Sequence, residues 1–424
     1  MTTQPEASYL PRVADELVAA GLRRAGAVQI VGPKWCGKTT TAEQLAASSV
    51  YFQDPDHRDD YRRIAAEQPS LLLKGERPVL LDEWQDAPQI WDAVRFAVDR
   101  GHDMGMFLLT GSSVPGPEEI RHTGTGRFAR IVMRPMSLFE SADSSGEVAL
   151  RSIIDGDSIY AASRGGLESV ARLIARGGWP VSVTRDDEFG QARARDYVTS
   201  IVDSDISRID GVDKNPRRVQ RLMRSLARNE STNAAMTTLQ GDMVADDSSL
   251  STNTIGVYLA ALRRLYVIED QEAWPMAVRS KTVIRTSAKR RYCDPSIPAA
   301  LLDLTPAKML VDFNTFGLLF YSLCVRDLRV YAEAIGARVF YYRDGRDLEA
   351  DAIIELPDGR WGAVEVKLES TREDEAARTL LDIKRLVRSQ HGGEASFLMV
   401  VTANGIAHRR ADGVCVVPIT CLKP

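Results

Sequence analysis

The sequence has little of what would place it in a membrane or outside a reducing compartment. No run approaches 18 apolar residues, which leaves no candidate for a membrane-spanning helix. The N-terminus lacks a long apolar core, so no signal peptide is expected. Only five cysteines occur (Cys36, Cys293, Cys324, Cys415, Cys421), with no C-x-x-C pair, and thiols so scattered are expected to stay reduced in the cytoplasm. With a net charge of -4 there is no overall basicity, so any nucleic-acid contact must come from local patches. What remains is ordinary for soluble globular chains: 424 residues, 44% hydrophobic and 26% charged. That length predicts about two to four domains.

Against this plain background one stretch stands out. Gly32-Pro-Lys-Trp-Cys-Gly37-Lys38-Thr39 fits the phosphate-loop pattern G-x-x-x-x-G-K-[ST]. Ala27–Val31 before it is β-branched and mostly apolar, as a buried parallel strand would be, and Thr39 to Ala47 has helix formers and no breaker. In that context backbone N–H groups and the positive helix end face a β-phosphate. Gly32, Pro33, Gly37, Lys38, Thr39 and Thr40 are the candidate contacts to ATP, with Lys38 reaching the β/γ oxygens and the Thr39 hydroxyl on Mg²⁺. A second motif agrees: Pro78-Val-Leu-Leu-Asp82-Glu83 is an apolar strand ending in paired acids. Asp82 would bind Mg²⁺ through water, and Glu83 would polarise the attacking water.

Further strands are expected at Val50–Gln53 and Met106–Thr110, the latter leading into Gly111-Ser112-Ser113. Ser112 and Ser113 at that carboxyl edge are candidates for the γ-phosphate or the water, with simple loop chemistry as the alternative. Arg121, Arg127, Arg130 and Arg134 compete as the arginine that stabilises transition-state charge, in this chain or from a neighbouring subunit; Arg127 is the one expected, with an ordinary surface arginine as the alternative. Residues 215–292 carry three helical patterns and two candidate strands, Val267–Glu269 and Lys281–Arg285, the layout of a winged helix with Ser251 to Tyr266 as recognition helix and Asn253 and Thr254 near its start. Basic residues cluster there: Arg217, Arg218, Arg221, Arg224, Arg228, then Arg279, Lys281, Arg285, Lys289, Arg290 and Arg291. They form either a phosphate-binding face or a solvated one.

From about residue 310 the pattern turns to a long helix and then strands. Asp351, followed by Glu365-x-Lys367, could set two carboxylates beside a lysine, since residues two apart on a strand share a face. This requires a turn of odd length at Pro357-Asp-Gly-Arg360; a two-residue loop would put Asp351 on the wrong face.

Taken in order, these pieces resemble a bacterial and archaeal family that joins an AAA-type P-loop ATPase to a winged helix and a C-terminal restriction-endonuclease-like domain. The residues carrying the resemblance are Leu10-Pro-Arg12, Gly32–Thr40, Leu80–Glu83, Leu109–Ser113, Gly126-Arg127, Arg134–Glu140, Gly177–Pro180, Tyr292–Pro295, Gly317–Phe320, Val325–Leu328 and the Asp351/Glu365/Lys367 set. The implied fold class is α/β: a parallel-sheet ASCE-type ATPase core (1–140), a helical connector (141–214), a winged-helix-like domain (215–300) and an α/β restriction-endonuclease-like domain (301–424). It also implies Lys38, Thr39 and Asp82 at nucleotide and metal, with Glu83 as base. One departure stands at Leu319-Phe320-Tyr321-Ser322, where the family reads Leu-Phe-Glu-Ser. Tyrosine offers no carboxylate, so Asp351 and Glu365 would hold a metal without that third acid.

Three functions follow as expectations. The first is an Mg²⁺-dependent ATPase acting as a homo-oligomeric switch or remodeller, with nucleic acid or another protein as partner and no membrane. The second is an ATP-gated nuclease using Asp351, Glu365 and Lys367. The third is a non-hydrolysing, nucleotide-dependent interaction protein. A kinase is the weaker rival, because an acid next to Asp82 favours attack by water.

Overall fold

The computed structural model describes residues 9–112, 126–209, 214–244, 251–275, 288–344, 348–391 and 393–424. The chain divides into two compact units, one of Met1–Pro135 with Ile209–Val212 and Arg264–Tyr266, the other of Met136–Arg208, Asp213–Arg263 and Val267–Pro424.

The first unit is built on five parallel strands: β1 (Ala27–Val31), β2 (Ser48–Tyr51), β3 (Val79–Asp82), β4 (Phe107–Gly111) and β5 (Phe128–Val132), in the order β2-β3-β4-β1-β5. Every residue of β1, β3 and β4 is buried, which is why these strands read as mostly apolar, with Gln29, Asp82 and Thr110 as their polar members. Alternate residues feed two cores. Leu81, Phe107 and Leu109 pack with Phe52, Trp84, Ile90 and Val94 on one face. Val28, Ile30, Leu80 and Leu108 pack with Ala14 and Val18 of the helix α1 (Val13–Arg24) on the other. On the first face Trp91 lies 5.0 Å from Trp84 and stacks at 4.0 Å on Phe128, a pairing that adds about 0.5–1.5 kcal/mol per contact beyond area burial. The helix after the phosphate loop, α2 (Lys38–Glu43), is shorter than its sequence suggests, and β2 begins two residues early. The strand order sets the carboxyl ends of β3, β4, β1 and β5 side by side, so the loops that follow them share one edge.

The second unit holds a seven-stranded mixed sheet. Arg338–Arg343, Glu349–Glu355 and Trp361–Lys367 form an antiparallel meander; Phe397–Thr402 and Cys415–Pro418 continue it in parallel; Ile406–Arg409 and Ala161–Ala162 close it antiparallel. Helix Glu373–His391 covers one face through Ala376, Ala377, Leu380, Ile383 and Val387. The long helix expected at Thr315 to Ile335 is present as Phe313–Ala334, capped by the Asp312 carboxylate, which accepts from the Thr315 N–H.

The middle segment differs from the winged-helix expectation in its hairpin. Ile268–Gln271 pairs with Lys289–Tyr292, while the expected strand at 281–285 lies outside the described residues, as do Arg279, Lys281 and Arg285. Lys289 and Arg291 are each only 2% exposed and point into the unit, where Arg291 donates to Gln271 Oε1 and Ser231 Oγ, both at 2.7 Å. Arg290 donates to the Ala234 carbonyl at 2.7 Å. These three are therefore not a phosphate-binding face. Arg217, Arg221, Arg224 and Arg228 do stay exposed along one side of helix Pro216–Arg228.

Beside them Glu230 is buried and accepts from Ser322 Oγ at 2.8 Å and from the Tyr292 N–H at 3.2 Å. Burial pushes its carboxyl up to about 7, against the pull of Arg291 and these donors. Between its ordinary 4.5 and about 7 the folded chain therefore holds more proton than the unfolded one, so this group's contribution is complete below 4.5 and is lost as pH rises through about 7. Glu230→Gln should flatten the fall in urea midpoint between about pH 5 and about pH 7.5. Equal falls in both proteins would contradict this.

Among the described residues no helix is long and apolar enough to cross a membrane. All five cysteines are buried and unbridged.

Candidate nucleotide site and C-terminal carboxylate cluster

The phosphate loop leaves β1 at Val31 and enters α2 at Lys38. Two glycines make its path. A Cβ on Gly32 would sit 2.0 Å from the Met133 carbonyl oxygen at the end of β5, and Gly37, the residue before α2, takes φ +99°. Lys38 is buried and its Nζ donates to the Pro33 carbonyl at 2.8 Å, within the loop.

Opposite, at the end of β3, Asp82 is the hub. Its Oδ1 accepts from Thr39 Oγ1 and from Thr110 Oγ1, both at 2.6 Å. Burial pushes its carboxyl above the ordinary range, and the two hydroxyls pull it back. Glu83 then turns into the left-handed region (φ +51°) because Trp84 after it is driven into the core, fully buried. Its Oε2 accepts from Gln85 Nε2 and from Ser112 Oγ at 3.1 Å, with the Ser112 N–H at 3.4 Å. The two carboxylates thus have different partners, Asp82 the hydroxyls of Thr39 and Thr110 and Glu83 the side chains of Gln85 and Ser112. Hard oxygen donors at Thr39 and Asp82, next to a loop built for phosphate, fit Mg²⁺. Ser113 lies outside the described residues, as does Arg121.

In the second unit the C-terminal residues also converge. Leu356 N donates to the Arg360 carbonyl at 2.8 Å and Glu355 pairs with Trp361, leaving the three-residue loop 357–359 with Gly359 at φ +85°. The odd loop puts Asp351 opposite Glu365 on one face. Asp351 Oδ2 accepts from the Val366 N–H at 2.8 Å, and Lys367 Nζ lies 2.9 Å from Glu365. A residue from outside the motif joins them. Lys289 Nζ contacts the Glu349 carboxylate and donates to Tyr321 Oη at 3.1 Å, and Tyr321 in turn donates to the Asp351 carbonyl at 2.7 Å. Burial pushes Glu365 up to about 8, helped by the Asp351 charge, and depresses Lys289. As a metal site this set fits poorly. Two ammonium groups already answer its carboxylates, Tyr321 stands where a third acid is needed, and among the described residues no group of three or more His, Cys, Asp or Glu could hold a metal. The expectation of Asp351 and Glu365 as metal ligands is corrected accordingly.

Residues 24–142 match the family described as AAA domain. These residues form an AAA-type P-loop domain. Downstream of this domain, residues 167–308 match a domain of unknown function (DUF8612) and residues 316–422 another (DUF4143). Uncharacterized proteins of Mycobacterium bovis and Mycobacterium tuberculosis are each 25% identical over 354 residues, covering 82% of this chain and 72% of theirs. A Walker-type ATPase of Pyrococcus abyssi is similar at 12% identity and a TM-score of 0.42, covering 68% of this chain and 94% of that one.

Arg127, expected to serve this chain or a neighbouring subunit, stands away from this chain's own phosphate loop. Arg127 precedes β5, which runs parallel to β1, so it stands at the amino edge while the phosphate loop leaves the carboxyl edge. There it pairs with Asp99 at 2.7 Å on the surface. Arg134, two residues past β5, is on the nucleotide edge. Three residues of the site were not singled out from the sequence as its parts: Thr110 on Asp82, Gln85 on Glu83, and Arg12. The signal for Thr110 was its place at a strand's carboxyl end, the same signal that pointed to Ser112.

Proposed function

We propose that this protein binds ATP with Mg²⁺ in its AAA domain and hydrolyses it as a switch. The observation that carries the proposal is the convergence of Thr39 and Thr110 on Asp82, with Glu83 held separately by Ser112. The loop N–H groups and Lys38 would hold the phosphates, and Thr39 and Asp82 would hold Mg²⁺, which neutralises phosphate charge when bound. Glu83, unshared with the metal side, would accept the proton of a water attacking the γ-phosphorus, with ADP as the leaving group. Arg127, exposed on the far edge, could serve only a neighbouring copy's nucleotide, so a homo-oligomer is part of the proposal. Contact with nucleic acid is supported by the exposed Arg217, Arg221, Arg224 and Arg228, which recur at i, i+4, i+7 and i+11 on one helix face.

The test is ATP titration by calorimetry with Mg²⁺, then phosphate release with and without duplex DNA. Lys38→Ala should weaken ATP by about 100-fold, about 2.8 kcal/mol, and abolish release. Wild-type affinity in that variant would remove the phosphate-loop reading. Release unchanged by DNA at low salt would remove the nucleic-acid part alone.

A further inference from the structure

The phosphate loop is held from behind by a residue that precedes the sheet. Arg12 is the residue before α1 and only 7% exposed, although arginine seldom lies so deep without a specific task. Its Nη1 donates to the Cys36 carbonyl at 2.7 Å and its Nη2 to the Arg134 carbonyl at 2.7 Å. One rigid guanidinium fork thus bridges the phosphate loop and the segment leaving β5. Its own backbone is fixed as well, because Arg12 N donates to Asp15 Oδ2 at 2.8 Å. Tyr9 Oη bonds the other oxygen of Asp15 and also lies 3.0 Å from Thr41 Oγ1, on the buried side of α2.

The bond to Cys36 has a consequence at the phosphate. In a trans peptide the carbonyl and the following N–H point in opposite directions. Holding the Cys36 carbonyl outward therefore aims the Gly37 N–H inward, at the place where a phosphate-loop amide meets its ligand. Gly37 sits at φ +99°, so the peptide before it has an unusual orientation that needs an external hold. The second arm acts on the opposite wall. Gly32 already abuts the Met133 carbonyl, so the loop touches the end of β5 at one point and is tied to it by Arg12 at another.

We infer that Arg12 is a positioning residue of the nucleotide site, preorganising the Gly37 amide for phosphate and locking the loop to the Arg134 segment. This rests on the ATP reading above. A purely structural arginine would affect folding alone, whereas a positioning one moves ligand affinity and turnover in a protein that is still folded.

The experiment uses the full chain in three forms, wild type, Arg12→Ala and Arg12→Lys, with Lys38→Ala as the non-binding control. Affinity for a fluorescent ATP analogue with Mg²⁺, phosphate release, circular dichroism and amide exchange at Gly37 and Lys38 are read for each. Arg12→Ala should weaken nucleotide by about 10-fold or more and speed exchange at Gly37, with unchanged circular dichroism. Arg12→Lys, which keeps a single donor nitrogen in place of the two-armed fork, should fall between it and wild type. If Arg12→Ala does not fold, the same comparison is made on Arg12→Lys, which must then differ from wild type in both affinity and Gly37 exchange. A folded variant with wild-type affinity, turnover and exchange overturns the role of Arg12 while the ATP reading stands. A wild-type protein that binds no better than Lys38→Ala overturns both.

Discussion

Replacing Glu83 with glutamine is expected to cut steady-state phosphate release by about 10²–10⁴-fold, the usual worth of a positioned general base. Affinity for ATP should stay near the wild-type value. The asymmetry follows from the partition of the two acids. Asp82 is engaged by Thr39, which follows Lys38 of the phosphate-loop motif, and by Thr110, so in the proposed reading it would sit with the metal and the phosphates. The Glu83 carboxylate takes its hydrogen bonds from Gln85 and Ser112. Glutamine has the same shape and can still accept from Ser112, so the turn at φ +51° and the burial of Trp84 are kept. Only the ability to take a proton is removed. Because each tenfold in rate is about 1.36 kcal/mol of barrier, the loss is about 3–5 kcal/mol in the chemical step alone. The measurement is single-turnover hydrolysis after saturating the protein with ATP. Turnover within a few-fold of wild type would assign the proton to another group and leave Glu83 as a structural turn residue.

How much of this was legible depended on how far apart the partners lie in the chain. The phosphate loop was readable because strand, loop and helix are contiguous, and Asp82-Glu83 because an apolar strand ends on them. The facing of Asp351 and Glu365 was readable too, since hairpin register follows from loop parity once Gly359 is placed in the turn. Thr110 was not assigned to Asp82, because that bond exists only once β3 and β4 are paired. Arg12 could not be connected to a carbonyl 24 residues away in the loop or 122 residues away past β5 by any local pattern. Lys289 and Arg291 misled for a related reason. A Lys-Arg-Arg run reads as a solvated or nucleic-acid face, and only the arrival of Glu349, Tyr321, Gln271 and Ser231 makes its burial tolerable. The edge on which each arginine stands was not legible: Arg127 and Arg134 bracket one strand, and parallel pairing with β1 decides which of them meets this chain's phosphate-loop edge.

The largest stability effect is expected in the second unit, at Arg326. It is buried with two fully buried acids. Its Nη1 donates to Asp294 Oδ2 at 2.8 Å, and its Nε and Nη2 donate to Asp327 Oδ1 at 2.9 and 2.7 Å. The acids are in turn tied to backbone. Asp294 Oδ2 accepts from the Gly178 N–H at 3.0 Å, and Asp327 Oδ2 from the Leu138 N–H at 2.9 Å. Three stretches singled out in the sequence, around Gly178, Asp294 and Asp327, thus meet at one guanidinium. Burial alone would depress Arg326, yet the two carboxylates hold it above its ordinary range, while burial still leaves Asp327 raised. Arg326→Met removes the one cation that answers two desolvated acids, and breaking a buried pair from one side costs about 3–5 kcal/mol. The double variant Arg326→Met with Asp327→Asn should lose less than the single one, because the amide keeps an acceptor for the Leu138 N–H and no longer carries a charge. Urea midpoints of wild type, both singles and the double give the coupling directly. If the double is as unstable as the sum of the singles, the ion pair is not what holds these segments, and the backbone bonds alone must do so.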